Sequence, residues 1–138
     1  MAEVTPEQLD ELVAVAHDAR TRAYAPYSEF TVGAAVLAGG KVYRGCNVEN
    51  AAYGLAICAE RVAATTAVAD GERRIDAVAV VGSADRPTPP CGACRQILWE
   101  FGGNLEIVVA NLQTTKGTFR LKDLLPLPFD ARLLVKVP

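Results

Sequence analysis

Cys58-Ala59-Glu60 and, after residues 61–89, Pro90-Cys91-Gly92-Ala93-Cys94 put three thiols where two helices are expected to begin. No other feature of the chain restricts its fold as tightly. Cys91 and Cys94 are three apart, so on a helix they share a face across one turn. Cys58 must come from a second helix. The three sulfurs meet only if two parallel helix starts lie side by side at one sheet edge. Helix starts carry unpaired N–H groups and the positive end of the dipole, which stabilise thiolates. Three thiolates can hold a zinc ion with one coordination position left open, whereas a closed structural site normally has four protein ligands. Glu60 sits close to that open position, where hydrolytic chemistry can occur.

The rest of the chain supplies the elements this geometry needs. Its 138 residues form a single domain over 1–138, long enough to bury a substantial core. Thr5-Pro6-Glu7-Gln8 reads as a helix start, with Thr5 as N-cap, Pro6 in the first turn and Gln8 closing a capping box. Leu9, Leu12, Val13, Ala16, Ala19 and Ala23 then recur at helical spacing, and Pro26 ends the helix. Strands are predicted over Phe30 to Leu37 and Lys41 to Val48, joined by Ala38-Gly39-Gly40 as a hairpin. Cys58 to Ala69 reads as a helix stopped by Asp70-Gly71, and Ile75 to Val81 as a strand covered on both faces. Cys91 to Phe101 is a third helix, stopped by Gly102-Gly103, and Leu105 to Ala110 a further strand. A turn over Gln113 to Gly117 leads to a short edge strand, Thr118 to Leu121, and Lys122 to Leu125 adds a helical turn. This order implies an α/β sandwich with a mixed sheet.

The helix after Cys58 has its charges, Glu60 and Arg61, in its first turn; residues 62–69 are apolar or small on every side. Such a helix is normally buried all round. In a thin sandwich an outer helix should show one face to water, so a second subunit is expected to cover it. The hydrophobic share of 51% agrees with a partly covered surface.

Composition excludes several classes. The 14 basic residues are scattered among 16 acidic ones, net charge −2, so the clustered basic footprint of a nucleic-acid binder is absent. No apolar run approaches the roughly 20 residues that span a bilayer. The acidic start, Met1-Ala2-Glu3-Val4-Thr5-Pro6-Glu7, lacks the basic head and apolar stretch of a signal peptide. A cytoplasmic location is expected, where thiols stay reduced and a CxxC pair reads first as metal-binding or catalytic. No Gly-rich phosphate cradle is visible, which disfavours a phosphorylated ligand.

Three thiolates on a divalent cation carry a net negative charge. Arg61, one turn after Cys58, and Arg95, next to Cys94, are natural sources of compensation. Cys46 reads as a small core residue; its alternative is the fourth thiolate of a closed structural site. His17 reads as structural or surface. A dithiol oxidoreductase using Cys91 and Cys94 is a further reading, but it leaves Cys58 and Glu60 without a task.

Three Cys or His ligands, a Pro-Cys-x-x-Cys pair and a Glu that does not bind metal form the known signature of zinc nucleobase deaminases. From about Glu7 to Phe129 the chain resembles the small zinc-dependent cytidine deaminases. The likeness rests on Phe30-Thr31-Val32-Gly33-Ala34-Ala35, Gly45-Cys46-Asn47-Val48-Glu49-Asn50, Cys58-Ala59-Glu60-Arg61 and Pro90-Cys91-Gly92-Ala93-Cys94-Arg95-Gln96. It implies a three-layer α/β/α sandwich with a mixed five-stranded sheet. It also implies one Zn2+ per subunit held by Cys58, Cys91 and Cys94, with Glu60 shuttling protons. Arg61 would hydrogen-bond the thiolates, with Gln96 standing behind the ligands. Phe30 would pack on the pyrimidine, Ala59 would contact substrate, and Asn47 and Glu49 would hold ribose hydroxyls. Tyr53 and Phe129 match positions that reach a neighbour's site in a homotetramer with active sites at subunit junctions. The tail through Leu127-Pro128-Phe129 matches less tightly, because Pro128 stands where a small residue is more usual. The implied activity is hydrolytic deamination of cytidine and deoxycytidine in pyrimidine salvage. The alternatives are a deaminase of a modified cytosine nucleoside such as blasticidin S, or a non-enzymatic zinc-stabilised interaction module.

Overall fold

The computed structural model describes residues 3–113 and 116–134. The first helix, α1, runs Pro6–Ala19 and starts on the expected capping box: the Gln8 N–H donates to Thr5 Oγ1 and the Thr5 N–H donates to Gln8 Oε1. It stops well short of Pro26, passing into a 3-10 turn over Arg20–Arg22. Strands β1 (Val32–Ala38) and β2 (Lys41–Cys46) form a hairpin whose tip, Gly39-Gly40, has φ of 59° and 76°. Two consecutive left-handed residues make the tight turn that matches strand twist, and glycine takes that conformation without strain.

Both strands are shorter than predicted, for one reason. The Asn47 side chain accepts the Val32 N–H (2.8 Å) and donates to the Phe30 carbonyl (2.8 Å). A side-chain amide thus replaces the ladder, leaving Phe30 and Thr31 outside β1. Helix α2 (Ala59–Ala69) follows with Cys58 as N-cap, then β3 (Ala77–Gly82), α3 (Gly92–Gly102) with Cys91 as N-cap, and β4 (Glu106–Ala110). The edge strand β5 spans Lys116–Arg120, so Gly117 lies in the strand rather than in the turn. Thr114 and Thr115 of the expected turn lie outside the described residues. Helix α4, Leu121–Leu124, ends on the segment that leads to the tail.

The five strands order as β2-β1-β3-β4-β5, with β3 and β4 parallel and the other pairs antiparallel. This is the expected mixed five-stranded sheet. Alternation along the strands divides the core in two. Ala35, Leu37, Ala77, Ala79 and Val81 pack against Leu12 and Ala16 of α1. Val36, Val78, Val80 and Ile107 pack on the other face against Ala63, Ala67 and Leu98 of α2 and α3.

Close approach of α2 to the sheet depends on Gly45. A Cβ there would lie 2.4 Å from the Ala59 carbonyl oxygen and 2.5 Å from the Ala63 nitrogen. Both neighbours are helix backbone, which cannot step aside cheaply. The outward face of α2 carries exposed Thr65 and Thr66. Their hydroxyls donate back to the Arg61 and Val62 carbonyls, leaving methyl groups to face outward.

Gly45→Ala is expected to lower the thermal midpoint at fixed zinc, with a stability loss of about 1–3 kcal/mol typical of overpacking. An unchanged midpoint would show that α2 is free to move off β2.

Candidate metal centre and substrate cavity

The two cysteine-bearing helix starts converge at one end of the strands. There β2 and β3 finish and β1 begins, as the pairings Gly33 with Cys46 and Val32 with Gly82 fix. Sheet order and the packing of α2 on β1 and the edge strand β2 bring the starts of α2 and α3 together at this end of the sheet.

The Sγ atoms of Cys58, Cys91 and Cys94 all lie within 4.8 Å of one another, and Cys58 Sγ is 3.7 Å from Cys91 Sγ. Tetrahedral zinc with bonds of about 2.3 Å needs sulfurs about 3.8 Å apart. The donor set therefore fits the ion. Cys46 does not belong to this group. It is a half-buried free cysteine opposite Gly33 in the hairpin, so the cluster is three-thiol and not four-thiol.

The cluster's electrostatics follow from crowding and burial. Cys94 is fully buried; its thiol hydrogen-bonds Cys58, and that bond and burial push its pKa well above the usual range. Cys58 is lowered to about 6, first by the hydrogen bond with Cys94, then by the one with Cys91 and by the positive charge of Arg61. Within this pair the proton is favoured on Cys94 and the negative charge on Cys58.

Glu60 is 4% exposed and its pKa is raised to about 7, chiefly by burial, with a further contribution from Cys58. Its own backbone N–H, Cys94 and Arg61 pull the other way. The Arg61 Nε is buried without a hydrogen-bond partner, so this arginine acts on Cys58 here through its charge.

Arg95 is used differently from expectation. Its Nε donates to the Pro90 carbonyl (2.8 Å) and a terminal nitrogen to the Leu124 carbonyl (2.8 Å), stapling the loop before Cys91 to the end of α4. Gln96 donates to the Phe129 carbonyl (2.6 Å), and the Trp99 indole N–H to Asp130 Oδ2 (3.2 Å). Both hold the tail on α3. His17 is exposed at the end of α1.

A cavity of about 180 Å³ opens beside the cluster, lined among others by Phe30, Asn47, Cys58, Ala59, Glu60, Thr88 and Cys91. Six of the residues expected to meet metal or substrate in one chain are therefore together: Phe30, Asn47, Cys58, Ala59, Glu60 and Cys91. Glu49 lines an adjoining hollow of about 330 Å³ with Tyr27, Ser28 and Tyr53. Its Oε1 accepts the N–H groups of Tyr27 (3.0 Å) and Ser28 (3.2 Å), and its Oε2 accepts the Ser28 hydroxyl. Tyr53 is 76% exposed and meets Tyr27 edge-on at 6.0 Å. Phe129 lies over a groove of about 850 Å³ between α3 and the tail. Neither Tyr53 nor Phe129 lines the cavity beside the cysteines of its own chain. The sequence did not single out Ser28 or Thr88, because a lone hydroxyl residue carries no spacing signal.

Comparisons with known proteins agree with this site. Residues 6–111 match the family described as the cytidine and deoxycytidylate deaminase zinc-binding region. Cytidine deaminase from Sporosarcina psychrophila is 46% identical over 124 residues, 88% of this chain and 91% of the relative. Cytidine deaminase from Halalkalibacterium halodurans is 47% identical over 87% of this chain and 92% of the relative. The crystal structure of cytidine deaminase from Burkholderia pseudomallei superimposes with a TM-score of 0.85 at 48% identity, covering 91% of this chain and all of that one. These names do not favour a blasticidin S deaminase or a non-enzymatic zinc module.

Binding zinc to all three sulfurs expels the proton that Cys94 holds. Affinity should therefore rise with pH, about tenfold per unit for each proton expelled. Chelator competition at two pH values one unit apart near neutrality measures this, and a pH-independent affinity would contradict the placement of that proton.

Proposed function

The chain belongs to the zinc-binding cytidine and deoxycytidylate deaminase family, and from that membership we propose that it hydrolyses cytidine and deoxycytidine to uridine and deoxyuridine with release of ammonia. The observation that carries this reading is the meeting of three thiols and one buried carboxyl group at a single small cavity. A free nucleoside suits a chain with scattered charges and no phosphate cradle.

Cys58, Cys91 and Cys94 hold the zinc ion, which when bound supplies the Lewis acidity that makes water a usable nucleophile near neutral pH. Glu60 carries the protons. Its carboxylate takes one from the attacking water and gives it to N3 of the base as oxygen adds at C4. Glu60 then takes the remaining proton from the oxygen added at C4 and delivers it to the amino nitrogen; the C4–N bond breaks as the C4 carbonyl forms, and ammonia leaves. A group that both accepts and donates works best with a pKa close to the working pH, and burial moves Glu60 in that direction. Phe30 packs on the pyrimidine and Ala59 lies against the base. Asn47 and Glu49 take the sugar hydroxyls.

The active form is a homotetramer in which Tyr53 and Phe129 complete a neighbour's site. Support comes from large apolar side chains left uncovered on one chain: Leu127 is 93% exposed, Tyr53 76% and Leu55 66%. The outward methyl groups of Thr65 and Thr66 on α2 suit the same burial. Three reduced thiols suit the cytoplasm, and a reaction on free nucleosides belongs to pyrimidine salvage.

Zinc-loaded protein is expected to convert cytidine and deoxycytidine to their uracil products in an absorbance assay. Glu60→Gln should keep zinc and lose activity by about 10²–10⁴-fold, the usual contribution of a proton-transfer group. A variant that keeps most of its turnover removes Glu60 from the proton path. Light scattering should give four chains per particle, and a monomer at micromolar protein contradicts the shared site.

A further inference from the structure

Phe30 and Glu49 line separate hollows, yet one hydroxyl joins them. Ser28 Oγ donates to Glu49 Oε2 and accepts the Phe30 N–H (3.0 Å). The carbonyl of the same residue is also held: Asn47 Nδ2 donates to it (2.8 Å). Between Ser28 and Phe30 stands Glu29, whose φ of 60° is left-handed, an uncommon conformation for a residue with a Cβ. The Glu29 N–H donates to the Ala25 carbonyl (3.0 Å). A backbone bent in this way persists only where the surroundings over-determine it. Here Ser28, Ala25 and Glu49 do so.

We propose that Ser28 is a positioning residue that couples sugar recognition at Glu49 to the placement of Phe30 against the base. The proposal rests on the deaminase reading above, in which those two residues meet the two halves of the nucleoside. A carboxylate offers about four lone-pair sites. Tyr27 N–H, Ser28 N–H and Ser28 Oγ–H occupy three on Glu49, so one direction remains for a sugar hydroxyl. The Ser28 hydroxyl also favours the ionised form of the acid: it is the largest of the contacts that lower the Glu49 pKa. Without that hydroxyl, Oε2 loses its donor and is free to turn. The Phe30 N–H loses its acceptor at the same moment, and the left-handed bend at Glu29 loses a restraint. Sugar and base contacts should then loosen together, while the cysteines and Glu60, on the helix starts, stay in place.

The test is steady-state kinetics on cytidine and on 2′,3′-dideoxycytidine, which lacks both ring hydroxyls of the sugar. The proteins are wild type, Ser28→Ala, Ser28→Thr, Glu49→Ala and the double variant Ser28→Ala/Glu49→Ala, each checked for zinc content and thermal midpoint. Ser28→Ala is expected to raise KM for cytidine about tenfold, the loss typical of one hydrogen bond to a charged group. Its kcat should stay within about threefold, because the reacting groups are untouched. The penalty should be smaller on the dideoxynucleoside, and almost none should be added in the Glu49→Ala background. Ser28→Thr, which keeps the hydroxyl, should recover most of the affinity. If Ser28→Ala loses zinc or stability, Ser28→Cys, which keeps the volume and weakens the donor, is read by the same criteria. An unchanged KM, an equal penalty on both substrates, or additive losses in the double variant overturns the coupling alone. A wild-type enzyme that leaves cytidine untouched overturns the deaminase reading and the coupling together.

Discussion

Three sulfurs packed within 4.8 Å of one another cannot all be charged unless a cation lies among them. Like charges at that range disfavour one another's ionisation. Crowding and burial favour a proton on Cys94 and the negative charge on Cys58. The rest of the architecture serves to hold this arrangement. Cys58 and Cys91 are N-caps without side-chain capping bonds of their own, so the first turns of α2 and α3 leave backbone N–H groups directed toward the cluster. Bringing those two turns together needs β2 and β3 to end beside the start of β1, and α2 to lie almost on the backbone of β2. The small residues of the sheet and of α2 are the means to that end.

Burial then separates the tasks of neighbouring residues. Cys58 is the last residue before α2 and remains partly open, whereas Glu60, two residues later, is 4% exposed. Chain direction alone puts a ligand and a desolvated acid next to each other. Desolvation raises the carboxyl toward neutrality, and the adjacent Arg61 keeps that rise in check while favouring the Cys58 thiolate. Arg95 has the same charge at a similar distance along its own helix, but its guanidinium is spent on two carbonyls. It therefore fixes the loop before Cys91 rather than balancing sulfur.

That contrast marks what a sequence can and cannot disclose. The α1 cap, the Gly39-Gly40 turn, the two cysteine-bearing helix starts and the buried β3 were legible because each depends on residue types at fixed short spacings. The uses of Arg95, Gln96, Asn47 and Glu49 were not fully legible. Their partners include backbone groups of Pro90, Leu124, Phe129, Phe30, Val32, Tyr27 and Ser28. Every residue has a carbonyl and nearly every residue an N–H, so such partners leave no mark in composition or periodicity. For the same reason the ends of β1 and β2 were placed two residues too far out: a side-chain amide stopped the ladder, and β propensity does not register that. The apolar character of α2 was legible, but the folded-back hydroxyls that make Thr65 and Thr66 behave as methyl surface were not.

Asn47 reveals how the two sides of the cavity differ in stiffness. The cysteines and Glu60 stand on helix starts seated against a sheet whose central strands are almost wholly buried. Phe30 stands on a bent loop held by side chains. In that loop the amide of Asn47 spends one donor and one acceptor on backbone, leaving it one N–H and one lone pair. On the function proposed above, a nucleoside would bind through the spare valences of groups that already hold the wall in place. Hydrogen bonds in such a chain polarise one another, so a sugar hydroxyl arriving at one end would strengthen the wall at the other. Substrate selection on this side of the cavity would then be a matter of loop order as much as of contact, with the proposed proton transfer on the buried side insulated from it.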